Sequence, residues 1–399
     1  MKAGWQTKAF GEILEKTETV NPLQSPETEF DYIDVSSVSN QTFCIEETQR
    51  LKGKDAPSRA RKLVRANDIL FATIRPTLQR VAIVPEKLDR QVCSTGYFVL
   101  RPKSGIDHRF VFYSLFTGDF TNQMASLQKG ASYPAVTDGE VRVQPLTFPP
   151  LPEQHRIVAL LDAAFDGIAT AKANAEQNLQ NARALFESHL QKVFTERGEG
   201  WSNTTLEKAT GGVFTGPFGS LLHKSDYVSG GIPLVNPAHI TATGIEPDLQ
   251  KTVPKETAER LSSYIMREGD IVIGRRGEMG RCALVTDVED GWLCGTGSFF
   301  IKPSIHCDPG YLVRLLRSDA YKQKLEKIAG GAVMPNLSNT DLGNMSIDLP
   351  SIELQIAILN EIEALAEETQ RLESLYRQKL AALDELKKSL LHRAFSGQL

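Results

Sequence analysis

The decapeptide CSTGYFVLRP at residues 93–102 recurs 201 residues later as CGTGSFFIKP at residues 294–303. The recurrence extends along the chain, because the same offset, or one residue more, aligns further identical residues: Asp68 with Asp270, Gly130 with Gly331, Pro134 with Pro335, Gln154 with Gln355, Ser188 with Ser389 and Phe194 with Phe395. A period near 200 residues is far longer than the repeat of a solenoid. The sequence therefore predicts two copies of one unit, each a domain followed by a long helix.

The first part of each copy has the pattern of a globular domain. Short β-branched and aromatic runs predict strands, with turn residues between them, at residues 81–84, 98–100, 270–273 and 299–301. Helical patterns are fewer, with examples at residues 109–116 and 311–325. This mixture predicts an α+β fold with a mostly antiparallel or mixed sheet, over residues 1–150 and again over residues 198–350.

A long helix is predicted to close each copy, over residues 151–197 and 351–399. Apolar or small residues recur three and four positions apart, which is typical of a coiled coil. About 40 residues at about 1.5 Å each form a rod of roughly 60 Å. Two unrelated helices on separate domains are the alternative, but the two seams are repeat-equivalent. We therefore predict an antiparallel two-helix coiled coil that separates two similar domains, related by a pseudo-two-fold axis.

Charge and cysteine content narrow the classes of function. The formal net charge is −4, whereas residues 1–150 carry 19 basic and 17 acidic side chains, so a nucleic-acid footprint has to be a local patch. The five cysteines form no C-x-x-C pair, which suits a reducing cytoplasm and argues against a disulfide scaffold or a zinc ribbon. No apolar run has the length of a signal peptide or a membrane span.

Sequence motifs for catalysis or for a cofactor are not found. No G-x-x-x-x-G-K-[ST] loop is present for ATP. The string nearest to an adenine-methylation loop is Asn236-Pro237-Ala238, which lacks the second proline and the aromatic residue. The stretch FTGPFG at residues 214–219 only weakly resembles a cofactor loop, and His306 and Cys307 with Cys294 fit no metal-ligand spacing. The expectation is a chain with no catalytic residue, no metal and no cofactor.

Two stretches carry a resemblance to a known family. The segment LPEQHRIV at residues 151–158 opens the first long helix, and LLHRAFSGQL at residues 390–399 ends the chain. Together with the two-fold repeat, they make the whole chain resemble the specificity subunit of Type I restriction-modification systems. The resemblance implies two target recognition domains, each reading one half of a split double-stranded DNA site, with helices that hold the halves at a fixed spacing.

The resemblance also implies partners. A non-catalytic subunit of this kind assembles with two DNA adenine methyltransferase subunits, and ATP-dependent restriction subunits join them for cleavage. Glu153 and Arg156, at the start of the first helix, are therefore candidate partner-binding residues. The second copy departs from the first here, because Leu354 and Ala357 stand at the equivalent positions, so such a contact is not symmetric.

Candidate DNA-binding residues in the first copy begin with a basic run. It flanks Pro57-Ser58 and precedes a strand, and its members are Lys52, Lys54, Arg59, Arg61, Lys62 and Arg65. Lysine and arginine on such a loop bind phosphates, whereas base-edge contacts give specificity. A solvated surface turn is the alternative interpretation.

Two arginine-bearing hairpins occupy matching positions of the repeat. Arg75 and Arg80 lie between two strand-like runs in the first copy, and Arg275, Arg276 and Arg281 do so in the second. Arginine pairs bidentately with guanine, so a hairpin that reaches a groove is a candidate base reader. A local salt bridge to Glu278 or Asp270 is the alternative.

A third pair of loops contains glycine and proline. The first loop offers Ser132 and Tyr133, and the second offers Met334 and Asn336; asparagine pairs with adenine, and the larger side chains can pack on sugars or bases. A structural turn common to both copies is the alternative. Weaker candidates in the second copy are Ser220, Lys224 and Asn236, with His223 and His239 beside them.

Two other classes of function remain open at this point. A self-contained DNA methyltransferase or restriction enzyme would bind S-adenosylmethionine as an isolated chain. A coiled-coil scaffold that does not bind DNA would give no salt-sensitive shift on split-site DNA.

Overall fold

The computed structural model describes residues 4–196, 198, 200–218, 221–330 and 336–399, and only the backbone of Lys224. The chain forms two compact units. Unit 1 comprises Met1–Gln177 with Tyr376–Leu399, and unit 2 comprises Asn178–Leu375. Each unit therefore contains one globular domain and part of each long helix.

The described residues of unit 1 form nine short strands and four short α-helices before its long helix. The strands are β1 (Gln6–Ala9), β2 (Glu29–Ile33), β3 (Gln49–Lys52), β4 (Ala60–Leu63), β5 (Ile69–Ala72), β6 (Val81–Ile83), β7 (Val92–Ser94), β8 (Tyr97–Leu100) and β9 (Pro145–Phe148). The helices are α1 (Phe10–Ile13), α2 (His108–Ser114), α3 (Gly118–Leu127) and α4 (Asp138–Arg142). The long helix α5 (Leu151–Thr195) continues into unit 2.

Unit 2 follows a similar order over its described residues, with one strand added after its first helix and a helix where unit 1 has β4. Its strands are β10 (Ser202–Thr205), β11 (Val213–Thr215), β12 (Ile232–Val235), β13 (Thr252–Val253), β14 (Ile271–Gly274), β15 (Cys282–Leu284), β16 (Leu293–Cys294), β17 (Ser298–Ile301) and β18 (Ser346–Leu349). Its helices are α6 (Leu206–Ala209), α7 (Lys255–Arg260), α8 (Pro309–Arg317), α9 (Asp319–Ile328) and α10 (Asn339–Gly343), followed by the long α11 (Ile352–Phe395).

The sheets of the two units share most of their topology, but β4 has no counterpart in unit 2 and β11 has none in unit 1. In unit 1 the strand orders are β1-β9, β3-β2-β7-β4 and β6-β5-β8, and in unit 2 they are β10-β18, β13-β12-β16 and β11-β17-β14-β15. Each unit has one parallel pair, β2 with β7 and β12 with β16, among antiparallel neighbours. The predicted α+β fold with a repeated mixed sheet is thus confirmed.

The decapeptide that recurs in the sequence forms the centre of each domain. Cys93, Phe98 and Leu100 are buried, as are their counterparts Cys294, Phe299 and Ile301. Beside it, buried Asp68 accepts two hydrogen bonds from Arg101, at 2.8 and 2.7 Å, and Lys302 pairs with buried Asp270 at 2.7 Å. The repeated Asp is therefore part of a buried ion pair in each copy, and Asp68 raises the pKa of Arg101.

The two long helices lie antiparallel to each other in both units. In unit 1, Lys172 of α5 pairs with Asp384 of α11, and Arg156 donates to the Leu399 carbonyl at 2.9 Å. In unit 2, Arg183 donates to both carboxylate oxygens of Glu373, at 2.9 and 3.1 Å. The partners run in opposite directions along the two helices, so the predicted antiparallel helix pair is confirmed.

Each long helix is attached to its domain by a fully buried glutamine in its first turn. Gln154 accepts a hydrogen bond from the Asp107 amide at 2.8 Å and donates to the carbonyls of Gly105 and Pro149. Gln355 repeats all three bonds, with the Asp308 amide and the carbonyls of His306 and Pro350.

The predicted domain boundaries stay a proposal, because the compact units divide inside both long helices rather than at their ends. Within the described ranges, no helix is both long and apolar enough to cross a membrane, and no group of three or more His, Cys, Asp or Glu could hold a metal ion.

Candidate nucleic-acid interface

In unit 1 the arginine hairpin and the glycine-containing loop are joined directly. The hairpin between β5 and β6 carries Arg75 in the left-handed region, with φ of 49°. The Arg75 amide donates to the Pro134 carbonyl at 2.7 Å, and Ile74 forms an isolated bridge with Ala135. Two segments that are about 60 residues apart in the sequence therefore form one surface.

The Arg75 side chain is oriented by neutral groups. Its guanidinium lies 5.3 Å from the centre of the Tyr133 ring and donates to the Ser132 carbonyl at 3.3 Å. Tyr133 is 71 % exposed. A cation stacked on an aromatic ring keeps its full charge while its plane is held.

In unit 2 the matching hairpin is joined to Asn336, which is described, by backbone and side-chain contacts. Arg276 forms an isolated bridge with Asn336, and the Leu337 amide donates to the Arg275 carbonyl at 2.9 Å. The Nε atoms of Arg275 and Arg276 both donate to Asn336 Oδ1, each at 3.2 Å. Arg275 also lies over two rings, at 5.1 Å from Phe218 and 5.3 Å from Phe299.

These three arginines are not neutralised by the described part of the protein. No described carboxylate lies within ion-pair distance of Arg75, Arg275 or Arg276. Burial and the neighbouring Arg276 lower the pKa of Arg275. Since arginine stays protonated in proteins, the cluster keeps two adjacent positive charges. An uncompensated cationic loop is the local patch that a polyanion requires.

The second arginine of each hairpin has a different environment. Arg80 donates to the Val38 carbonyl, and Arg281 donates to the Pro237 carbonyl at 3.3 Å and pairs with Glu278 at 2.7 Å. Both carbonyls lie at equivalent turns, after β2 and after β12. Arg80 and Arg281 therefore hold a neighbouring turn, and the local salt bridge weighed from the sequence applies to Arg281.

The basic run of the first copy is divided by its contacts. Lys54 pairs with Glu27 at 3.1 Å, and half-buried Lys62 pairs with Asp138 at 2.7 Å at the start of α4. Arg61 donates to the Ala60 carbonyl at 3.1 Å. Arg59 is exposed, with no described carboxylate at ion-pair distance. Arg59 is thus the member of the run that is most available to a phosphate.

The remaining candidates contribute less to the site. The backbone N of Asn236 lies 3.3 Å from His239 Nδ1, with its hydrogen directed at that atom. The Asn236 side chain lies against Gly295. Ser220, Met334 and the side chain of Lys224 lie outside the described residues. At the first long helix, Arg156 donates twice to Glu153, each time at 2.7 Å, so this candidate partner pair is internally satisfied.

Two aromatic residues at the site were not identified from the sequence. Phe218 and Phe299 flank Arg275 from segments far apart in the chain. Phe299 belongs to the repeated decapeptide, where it was interpreted only as a strand residue. The signal for Phe218 is its position after Gly216-Pro217, since a loop that exposes a phenylalanine, here 45 % exposed, favours an interface.

Comparison with known proteins agrees with this organisation. The Type I restriction modification DNA specificity domain matches the chain twice, over residues 2–181 and 211–381. The crystal structure of the HsdS subunit from Thermoanaerobacter tengcongensis superposes with a TM-score of 0.78 at 28 % identity, covering 100 % of this chain and 98 % of that one. A chain from a structure of the type I R-M system gives 0.80 at 28 % identity, covering 100 % and 99 %.

A sequence relative shows the same relationship over a shorter range. The Type I restriction enzyme HindI specificity subunit of Haemophilus influenzae is 29 % identical over 160 residues, which are 39 % of this chain and 34 % of that protein. The matched part is about a third of the length of the first curated relatives. A duplicated α+β domain with an antiparallel helix pair defines the class of two-domain specificity proteins. The chain belongs to the family of Type I restriction modification DNA specificity domains.

Proposed function

We propose that the chain is the DNA-reading subunit of a Type I restriction-modification complex and that each unit reads one half of a bipartite site. One observation carries the proposal: at matching positions both units present arginines that have no carboxylate partner among the described residues, Arg75 in one and Arg275 and Arg276 in the other. Matching positions with different side chains suit two half-sites of different sequence.

Some of these residues would contribute affinity for DNA and others would contribute sequence specificity. Exposed cations such as Arg59 bind phosphates and fix the position on the duplex, which makes binding sensitive to salt. Arg75, Arg275 and Arg276 are directed by rings and neutral acceptors, so they can present donors to base edges in the major groove.

The proposed role includes no chemistry of its own. Base flipping and methyl transfer would take place in two adenine methyltransferase subunits, and cleavage in restriction subunits that consume ATP. The proposed compartment is the cytoplasm, where chromosomal DNA is reached.

A partner surface is supported by apolar side chains on the long helices. Six of them are exposed: Leu160, Leu185, Leu354, Ile356, Leu375 and Leu386. Apolar groups exposed along a helix favour association with another protein. We propose that exposed leucines of this kind, Leu185 and Leu375 of unit 2 among them, contact the methyltransferase, and that Glu153 and Arg156 do so in unit 1.

The test of the function replaces one arginine in each unit. Full-length chain, co-expressed with the methyltransferase, is used to select bound duplexes from a randomised library and to map methylated adenines in genomic DNA. Arg75→Ala and Arg275→Ala should each cost about 1–3 kcal/mol in affinity, and each should relax the base preference of a different half-site.

Arg50→Ala and Arg267→Ala serve as matched controls. Both residues are exposed, and each pairs with a carboxylate of its own domain, at Asp31 and Asp290. The controls should leave both half-sites unchanged. If the wild-type chain selects no sequence, or both arginine variants keep the wild-type preference, the proposal is wrong.

A further inference from the structure

The Arg275–Arg276–Asn336 cluster carries an inference about how unit 2 reads its half-site. One amide oxygen, Asn336 Oδ1, accepts from the Nε atoms of two consecutive arginines at equal distances of 3.2 Å. A carbonyl oxygen has two lone pairs. Asn336 Oδ1 is therefore fully used inside the protein.

The side-chain amide of Asn336 holds Arg275 and Arg276 together without neutralising their charges. Two adjacent guanidinium groups repel each other, and a carboxylate at position 336 would remove that repulsion by cancelling charge. An amide instead orients both groups and leaves both charges in place. Burial lowers the pKa of Arg275, and the positive charge of Arg276 lowers it further.

The geometry also determines which donors remain available. Nε of each arginine is occupied by Asn336, and rings of Phe218 and Phe299 flank the Arg275 guanidinium. The terminal edge with its two Nη groups remains, and no hydrogen bond from Arg275 or Arg276 Nη to a described residue is found. Two parallel N–H donors in one plane match a pair of acceptors.

We propose that Asn336 is a positioning residue that holds Arg275 and Arg276 end-on for guanine in the half-site read by unit 2. The inference rests on the proposed function and specifies its ligand chemistry. In the major groove guanine offers two acceptors, N7 and O6, whereas adenine offers an acceptor beside a donor. Asn336 itself does not read adenine, since its own carbonyl is already occupied.

Unit 1 provides an internal comparison. Its equivalent loop joins Arg75 to a backbone carbonyl of Ser132 and to the Tyr133 ring, without a side-chain amide. Changes at position 336 should therefore affect one half-site only.

The experiment uses the full-length chain co-expressed with the methyltransferase, and a randomised duplex library as the probe. Asn336→Ala, Asn336→Asp and Asn336→Ser are compared with wild type, with Arg75→Ala as the control for the other half-site. We expect the wild-type chain to prefer a guanine at one position of one half-site. Arg275→Ala or Arg276→Ala should weaken that preference. Replacing that guanine by 7-deazaguanine, which lacks N7, should weaken wild-type binding by about 10- to 100-fold but should have little effect in the arginine variant.

The three Asn336 variants distinguish positioning from reading. Asn336→Ala should lower the preference for the same guanine. Asn336→Asp should lower it further, because a carboxylate pairs with both arginines. Asn336→Ser should retain part of the preference, because its hydroxyl oxygen can accept a hydrogen bond. Loss of preference for an adenine instead would overturn the inference. So would an unchanged guanine preference in every Asn336 variant whose thermal unfolding matches that of wild type.

The two proposals fail in different ways. A wild-type chain that selects no sequence contradicts the proposed function. A wild-type chain with two half-sites, neither of which depends on guanine and Asn336, contradicts only this inference.

Discussion

At the scale of single residues, the two copies share the contacts that stabilise the domain and differ in the contacts at the loops. Gln154 and Gln355 are both fully buried and make the same three hydrogen bonds to the backbone around their helix starts. Asp68 and Asp270 both bind a buried or half-buried cation that directly follows β8 or β17, the strands that pair with β5 and β14. These positions coincide in the sequence because a buried polar group requires partners at fixed places.

Gln154→Ala should lower the free energy of unfolding by about 2–4 kcal/mol, because one backbone amide and two carbonyls lose their partner inside the protein. Urea denaturation of the full chain measures the effect. His155→Ala is the matched control, since its side chain is 60 % exposed on the same helical turn. The control should stay within about 0.5 kcal/mol of wild type. Equal stability of the two variants would show that the glutamine does not anchor the helix.

Cysteine reactivity follows from burial. Burial raises the pKa of Cys93, Cys282 and Cys307 to about 12 and raises that of Cys294 as well, whereas Cys44 is exposed. At pH 8 a thiol of pKa 12 is ionised in about one molecule in ten thousand.

Labelling of the native chain with a thiol reagent at pH 8 should therefore modify one cysteine of the five rapidly, and urea should expose the other four. A raised pKa keeps these thiols protonated, so native reactivity should not appear until the pH approaches 12 or the chain unfolds. Cys44→Ser should abolish the fast phase. A fast phase that persists in this variant would contradict the burial of the other cysteines.

The sequence predicts residue types at the site better than it predicts their partners. The Arg75 and Arg275 hairpins were found because they match in the repeat. Arg80 and Arg281 match equally well, yet they hold turns that lie more than 40 residues away. Likewise, Lys62 was interpreted as part of a basic run, but Asp138, 76 residues away, pairs with it. Such contacts are set by the fold and leave no local pattern.

At the scale of elements, the long helices were the most predictable part. Their apolar spacing predicted helices where α5 and α11 lie, because residues 168–195 and 352–395 contain no proline or glycine to interrupt the pattern. The patch at residues 311–325 was interpreted as one helical region, but it forms two helices that meet at Ser318, whose backbone is extended. A serine in a helical pattern does not by itself show such a break.

The helix pair buries only part of its apolar surface. Ala175 and Ile362 are buried, whereas Leu185 is 65 % exposed and Leu375 is 52 % exposed. Two helices cannot enclose side chains on all sides, so the outward positions remain open to a partner.

Leu185→Asp combined with Leu375→Asp should weaken association with the methyltransferase subunit at least tenfold, since each leucine contributes about 1.5–3 kcal/mol when it is fully buried. Co-purification and light scattering measure the association. Gln180→Asp, an exposed position of the same helix, adds a charge without removing a leucine and should have no effect. Because both leucines are exposed in the free chain, its melting temperature should change little. Wild-type association by the double variant would show that these two leucines do not contact the partner.

At the scale of the whole molecule, duplication allows similar frameworks to carry different loops. Phe116 and Arg317 are equivalent positions, and both hold the turn that follows the first strand of the parallel pair. Phe116 packs edge-to-face on Phe43 at 4.6 Å, whereas Arg317 donates to the carbonyls of Thr241 and Ala242. The framework could be predicted from the sequence because it is the same in both copies of the repeat. The loop contacts could not be predicted, since they involve residues that differ between the two copies.

The last prediction concerns the spacing between half-sites, which we propose that the helix pair sets. Along the chain, the division between the two compact units follows Gln177 in α5 and Leu375 in α11, so a seven-residue insertion at these two points extends both helices while keeping the apolar period. Seven residues lengthen a helix by about 10 Å, which corresponds to about 3 base pairs at 3.4 Å each. Methylated-adenine mapping should then return the same two half-sites with a gap longer by about 3 base pairs. Insertion into α5 alone is the control, because it shifts one helix against the other, breaks pairs such as Arg183 with Glu373, and should destabilise the chain instead of resetting the gap. An unchanged gap in a stable double-insertion variant would show that the spacing is determined elsewhere.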